Sequence, residues 1–121
     1  MTRAANAYRK VFVESAAPTR ILDELYGALL ADCRRGAESI RSGDVAGKGV
    51  AIGRALAIVG ELQAALNHEA APDLCRNLAA LYQFVRGRLT KATLRMDASA
   101  LEEIERVVAP LREGFQRAAC G

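Results

Sequence analysis

From Asn77 to Ala92 the apolar residues Leu78, Leu81, Tyr82, Val85, Leu89 and Ala92 recur at i, i+3, i+4 and i+7. That is the spacing of one face of an α-helix. At about 100° per residue the six fall within about 60° of a common line. Burying such a stripe stabilises a fold by roughly 1.5–3 kcal/mol for each large side chain. Phe84 points well away from it, beside Asn77 and Arg88. An aromatic ring off the core face of a two-faced helix invites a second partner.

The same pattern predicts three more long helices. Pro18 suits the first position of a helix, where its missing N–H costs nothing. From Ile21 to about Arg41, Ile21, Leu22, Leu25, Tyr26, Leu29, Leu30, Cys33, Ala37 and Ile40 cover about half of the helix circumference. A bundle seam is narrower, so this helix either sits centrally or reserves surface for a ligand. Ser42-Gly43-Asp44 ends it and starts the next, whose stripe is Val45, Ile52, Leu56, Val59, Leu62 and Leu66. Asn67 to Pro72 forms the following turn, and the helix of Phe84 runs from about Asp73 to Arg95. Asp97 or Ser99 starts the last helix, with Ser99 and Glu102 at capping-box spacing. Its seam is Leu101, Ile104, Val108, Leu111 and Phe115, and Pro110 inside it predicts a kink or an early end.

Met1 to Ala17 is a lead segment in which Tyr8, Val11, Phe12 and Val13 stand among charges. With no strand partner elsewhere, a short helix or an extended arm is expected. The fold class is all-α: an antiparallel four-helix bundle, residues 18–121, with an additional short N-terminal helix or arm, residues 1–17.

Composition narrows the function. A chain of 121 residues supports one core, and 51% hydrophobic with 26% charged residues predicts a folded, soluble domain. Seventeen basic residues are offset by fourteen acidic ones. Mixed solvated faces, with no nucleic-acid binding, are the expectation. No apolar run reaches the length of a membrane span or fits a signal peptide, so neither membrane insertion nor secretion by that route is expected. Cys33, Cys75 and Cys120 are odd in number and far apart, and none stands at metal-ligand spacing with another cysteine or with His68. They read as reduced thiols in a cytoplasmic protein, with Cys33 in the core.

The chemistry-bearing motifs are weak. In G-D-V-A-G-K-G the first two glycines, Gly43 and Gly47, have three residues between them, and Gly49 follows Lys48. A phosphate loop needs four residues there and a hydroxyl after the lysine. His68 falls at a helix end, unsuited to phosphotransfer. Glu102, Glu103 and Glu105 read as a solvated face. No catalytic residue, cofactor or metal is expected. Phe84, Ile58, Leu30 and Val50 lie outside the seams; either the seams are broader than the template, or these residues line an apolar groove for a partner segment.

The order of residues resembles the FliS-type flagellar export chaperones. The resemblance runs through Tyr8, Glu14-Ser15-Ala16-Ala17-Pro18, Ile21-Leu22 and Leu25-Tyr26, then Ala55, Ile58, Val59, Leu62, Leu66 and Asn67. It is densest at Asn77-Leu78, Leu81-Tyr82, Phe84-Val85, Arg88-Leu89 and Ala92-Thr93. Gly27-Ala28 departs from that family's Asp-Gly, and Pro110 is unusual. The resemblance implies a cytoplasmic bundle that binds the C-terminal segment of flagellin, prevents premature polymerisation and presents the subunit to the flagellar export gate. It implies an apolar client groove of Tyr8, Ile21, Leu25, Tyr26, Leu30, Ile58, Leu62, Tyr82, Phe84, Val85 and Arg88, and a monomer or weak homodimer when free. The lead segment is expected to cover that groove until flagellin displaces it. A different helical-bundle adaptor, holding another partner helix in the same groove, is the alternative.

Overall fold

The computed structural model describes residues 19–120, which form four helices: α1 Thr19–Ser42, α2 Val45–Ala64, α3 Pro72–Arg95 and α4 Ala98–Cys120. No strand occurs among the described residues. The lead segment, with Tyr8, lies outside them. α1 packs against α2 and α4, and α3 packs against the same two helices. Short connections make each helix antiparallel to the one before it. The backbones approach most closely around α1, while α3 stands further from its neighbours. This is the predicted four-helix bundle.

The corners explain how so short a chain reverses three times. At the first, Gly43 adopts φ +77°, its N–H reaches Ile40 O at 3.2 Å, and Asp44 N reaches Ser39 O at 2.8 Å. This 6→1 and 5→2 pairing is a Schellman ending, which needs a left-handed residue where glycine stands. Asp44 then caps α2, its Oδ1 accepting from Gly47 N at 2.9 Å. An internal carboxylate therefore occupies the helix start where a phosphate loop would hold its anion. At the second corner Asn67 Oδ1 accepts from Ala70 N, and Pro72 stands at the start of α3. At the third, Met96 turns left-handed at φ 51° and Lys48 Nζ donates to Thr93 O at 3.2 Å. Asp97 accepts from Ser99 N at 3.0 Å and from its hydroxyl at 2.5 Å, so Asp97 caps α4. The Ser99–Glu102 box is not used, because Asp97 already holds the hydroxyl and Glu102 bonds Arg41.

Leu22, Tyr26, Leu29, Val59, Leu62, Leu78, Tyr82, Val85, Leu89, Leu101, Ile104 and Phe115 form the centre of the core. The Tyr26 and Tyr82 hydroxyls meet at 2.5 Å, joining the diagonal helices α1 and α3 through the interior. Tyr26 also packs against Phe115, ring centroids 6.1 Å apart. One stripe residue departs from the expected seams, and two others mark their edges. Val45 is 62% exposed, because the first turn of α2 projects past the end of the core, and Ala51 and Ala55 are buried further along. Leu30 is buried, so the seam of α1 is broader than the template. Leu81 is only half-buried, at the margin left by the wider spacing of α3.

The acidic run of α4 is not simply a solvated face. Glu102 pairs with Arg41 at 2.5 Å and Glu105 with Arg34 at 3.4 Å, both on α1, while Glu103 pairs with Arg88 of α3 at 3.4 Å. Arg112 Nε reaches Asp23 at 3.1 Å by lying across Gly27, where a Cβ would come within 2.8 Å of its guanidinium. Individually such part-exposed pairs contribute about 0–1 kcal/mol, but together they fix the register of α4 on its neighbours.

Pro110 does not end α4, which continues to Cys120. The proline removes one backbone donor from an exposed stretch of helix, and buried Val108 and Leu111 hold the segment in place. Pro110→Ala should therefore stabilise the fold by up to about 3 kcal/mol, checked by the denaturant midpoint. An unchanged or lower midpoint would show that the surrounding packing depends on the proline.

Acid sensitivity follows from two carboxyls. The hydrogen bond from Arg112 holds Asp23 below its ordinary pKa against the opposing effect of burial, and the Ser99 hydroxyl does the same for Asp97. A carboxyl lowered in the folded state contributes stability above its unfolded pKa and loses it as pH falls through the folded one. The denaturant midpoint should thus decline below about pH 4, and less steeply in Asp23→Asn. Equal slopes would remove Asp23 from the account.

Candidate functional site

The described residues hold little reactive chemistry. His68 is exposed on the α2–α3 turn, and no metal-binding group of histidine, cysteine or carboxylate residues is found among the described residues. Burial pushes the Cys33 thiol up to about 12 and also raises that of Cys75, whose Sγ donates to Asn67 O at 3.3 Å. A thiol held protonated is a poor nucleophile. No described helix is long and apolar enough to cross a membrane.

The eleven residues of the expected groove do not lie together. Tyr26, Leu30, Leu62, Tyr82 and Val85 are buried in the core and shape the bundle from within. Ile21, Leu25 and Ile58 border the α1–α2 face, and Phe84 and Arg88 lie on α3. Tyr8 is outside the described residues.

The α1–α2 face is built on close approach. Gly36 packs against Leu101, Ala51 and Ile52, and Gly47 lies beside Ser39, which sets the antiparallel register of α1 on α2. Toward the Gly43 corner the cleft between them is mixed, with Asp32, Arg35, Ser39 and Arg54 beside Val50 and Ala51. Asp32 is 4% exposed and accepts from Arg35 Nη1 at 3.2 Å. Leu25 stands seven residues before Asp32, Ile21 four residues earlier still, and Ile58 four residues beyond Arg54. By helical spacing they continue the same cleft as an apolar stretch. Ile21 is 38% exposed, while Leu25 and Ile58 are half-buried against the core.

The second surface follows from the wider spacing of α3. The Arg88 guanidinium lies over the Phe84 ring, 5.2 Å from its centroid, while Nη1 reaches Glu103. Its Nε is buried without a hydrogen-bond partner. The Arg88–Glu103 pair sets the α3–α4 register, so one turn along it Phe84 comes level with Val107. Both are exposed, at 38% and 36%. Sequence reasoning missed Val107, which follows an exposed arginine and precedes a seam residue, and it missed Leu94. For Leu94 a signal existed: it lies outside the α3 stripe, on the outer side that also carries Gly87 and Lys91.

The arrangement is that of a helical bundle with two separate apolar margins and no catalytic constellation among its described residues. Its sequence matches the family described as Flagellar protein FliS over residues 1–120. It is 33% identical over 116 residues to the flagellar secretion chaperone FliS of Salmonella typhimurium, covering 92% of this chain and 86% of that protein. The flagellar secretion chaperone FliS of Escherichia coli is 29% identical over 119 residues, 94% of this chain and 88% of that one. That of Bacillus subtilis is 29% identical over 112 residues, covering 93% and 83%. With a match of that extent on an all-helical bundle, the chain belongs to the flagellar protein FliS family, a family of chaperones and not of enzymes.

Proposed function

We propose that this chain is a cytoplasmic flagellar secretion chaperone that holds the C-terminal segment of flagellin, keeps it from polymerising and hands it to the export gate. Family membership along nearly the whole chain carries this reading. The two apolar margins support it. A client segment that wraps the bundle would meet Ile21, Leu25 and Ile58 on one side and Phe84 with Arg88 on another. The buried Tyr26, Leu30, Leu62, Tyr82 and Val85 would support those surfaces from beneath, and Tyr8 of the lead segment would add a client contact.

The physical logic concerns the client. A segment disordered as a monomer exposes the apolar stripe it later buries in a filament, and a chaperone covers that stripe in the interval. Ordering the segment offsets part of the contact energy, which keeps release feasible. Flagellin seeded with filament fragments should elongate more slowly when an equimolar amount of this protein is present. Undiminished elongation, with no complex on gel filtration, would favour the alternative of an adaptor for another partner helix.

A further inference from the structure

The outer face of α3 carries a pattern that bundle packing does not use. Phe84, Gly87, Lys91 and Leu94 fall at the a and d positions of a heptad, with Arg88 and Arg95 at the flanking e positions. These six line one shallow depression on the surface. At its floor, nothing lies within 4 Å of the Cβ position of Gly87. Leu94 is 76% exposed, more than any other large apolar side chain among the described residues. Buried Leu78, Tyr82, Val85 and Leu89 occupy the opposite face, so α3 has one seam for the core and a second for solvent.

Three of the five basic residues of α3, Arg88, Lys91 and Arg95, line this depression, whereas Arg86 turns to Gln63 of α2 and Arg76 pairs with Asp73. Against these five stands the single acidic Asp73. This one helix therefore carries more positive charge than the net +3 of the whole chain. Asp97 lies 3.7 Å from Lys91 and Glu103 3.4 Å from Arg88, and no described residue pairs with Arg95. Basic residues near a helix C-terminus complement its dipole. That accounts for Lys91 and Arg95, but not for an exposed leucine and a glycine notch in register with them.

We infer that the outer face of α3 docks an acidic amphipathic helix, in coiled-coil fashion, as a site beyond the client surface proposed above. An apolar knob of the partner enters the notch over Gly87, between Phe84 and Leu94. Its glutamates, repeating at heptad flanks, meet Arg88 and Arg95. A nucleic acid fits less well, because Phe84, Gly87 and Leu94 offer apolar surface at three of the four a and d positions rather than a continuous run of cations. Phe84 and Arg88 border both surfaces, whereas Leu94 and Arg95 belong to this one alone.

The test uses the full chain and a designed three-heptad helix with Leu at a and d and Glu at e and g. Controls are the same helix with Lys for Glu, a scrambled peptide of the acidic composition, and a single-stranded oligonucleotide. The acidic helix should shift the amide resonances of Gly87, Leu94 and Arg95 and bind at least about tenfold more tightly than the scrambled peptide, a ratio that corresponds to a 1.4 kcal/mol difference. Leu94→Ser should weaken it, and Arg95→Glu should weaken it while improving the Lys-bearing helix. Both side chains are exposed, and circular dichroism confirms folding. The inference is overturned if the scrambled peptide or the oligonucleotide binds as well, if neither variant changes affinity, or if millimolar helix shifts no resonance on α3. Flagellin binding is read separately through Ile21→Asp, so loss of one activity leaves the other visible.

Discussion

Leu89→Ala should lower the unfolding free energy by about 2–5 kcal/mol, the cost of an unfilled cavity at a fully buried leucine. Leu89 is 0% exposed and lies on the face of α3 that meets the core. Leu81→Ala should cost less, because Leu81 is half-buried and water can reach part of the space left behind. Phe84→Ala should cost less still, since its ring rests on Arg88 at the surface and does not enter the core. The order Leu89, Leu81, Phe84 in urea midpoints checks the orientation of α3. Equal losses at Leu89 and Phe84 would place Phe84 in the core and undo the division of this helix into two faces.

The second large effect is on binding. Ile21→Asp and Phe84→Asp place a carboxylate in each of the two apolar margins, at side chains already in contact with solvent. Each should leave the bundle folded and weaken the flagellin C-terminal peptide by roughly 30-fold or more, the size of a hot-spot loss. A wrapped client predicts that both matter, although the two sites are on different sides of the bundle. A loss confined to one of them would restrict the client to that margin. If neither variant changes affinity, the apolar margins are not the client surface.

The helices were legible in the sequence because two local signals agreed. Period-3.6 stripes set the faces, and Ser42-Gly43-Asp44 set the first corner, where Gly43 takes a left-handed φ and Asp44 caps the next helix. Val45 departs from its stripe, and the burial of Leu30 and the partial burial of Leu81 are not fixed by periodicity, because a stripe gives direction but not the distance between helices. Burial at the edge of a seam depends on that distance. The ion pairs of Glu102, Glu103 and Glu105 were out of reach for a related reason: their partners are 61, 15 and 71 residues away in sequence. Of the two outcomes that Pro110 allows, a kink or an early end, the early end does not occur, since tertiary packing on both sides holds the helix through it.

The candidate site was less legible than the fold. Off-stripe apolar residues were visible as a set, but periodicity alone could not separate Leu30, which is buried, from Phe84, which is exposed. Residues of one expected groove lie on two sides of the bundle or in its interior. A match to a family's order of residues does not encode which positions share a surface.

One measurement bears on the central claim most directly: isothermal titration of this protein with the C-terminal segment of flagellin from the same cell. Saturable binding is expected, with a negative heat-capacity change from apolar burial and an affinity that changes only severalfold between low and physiological salt. No saturable heat at millimolar peptide, or a steep loss of affinity with salt of the kind that follows neutralised phosphates, would contradict it.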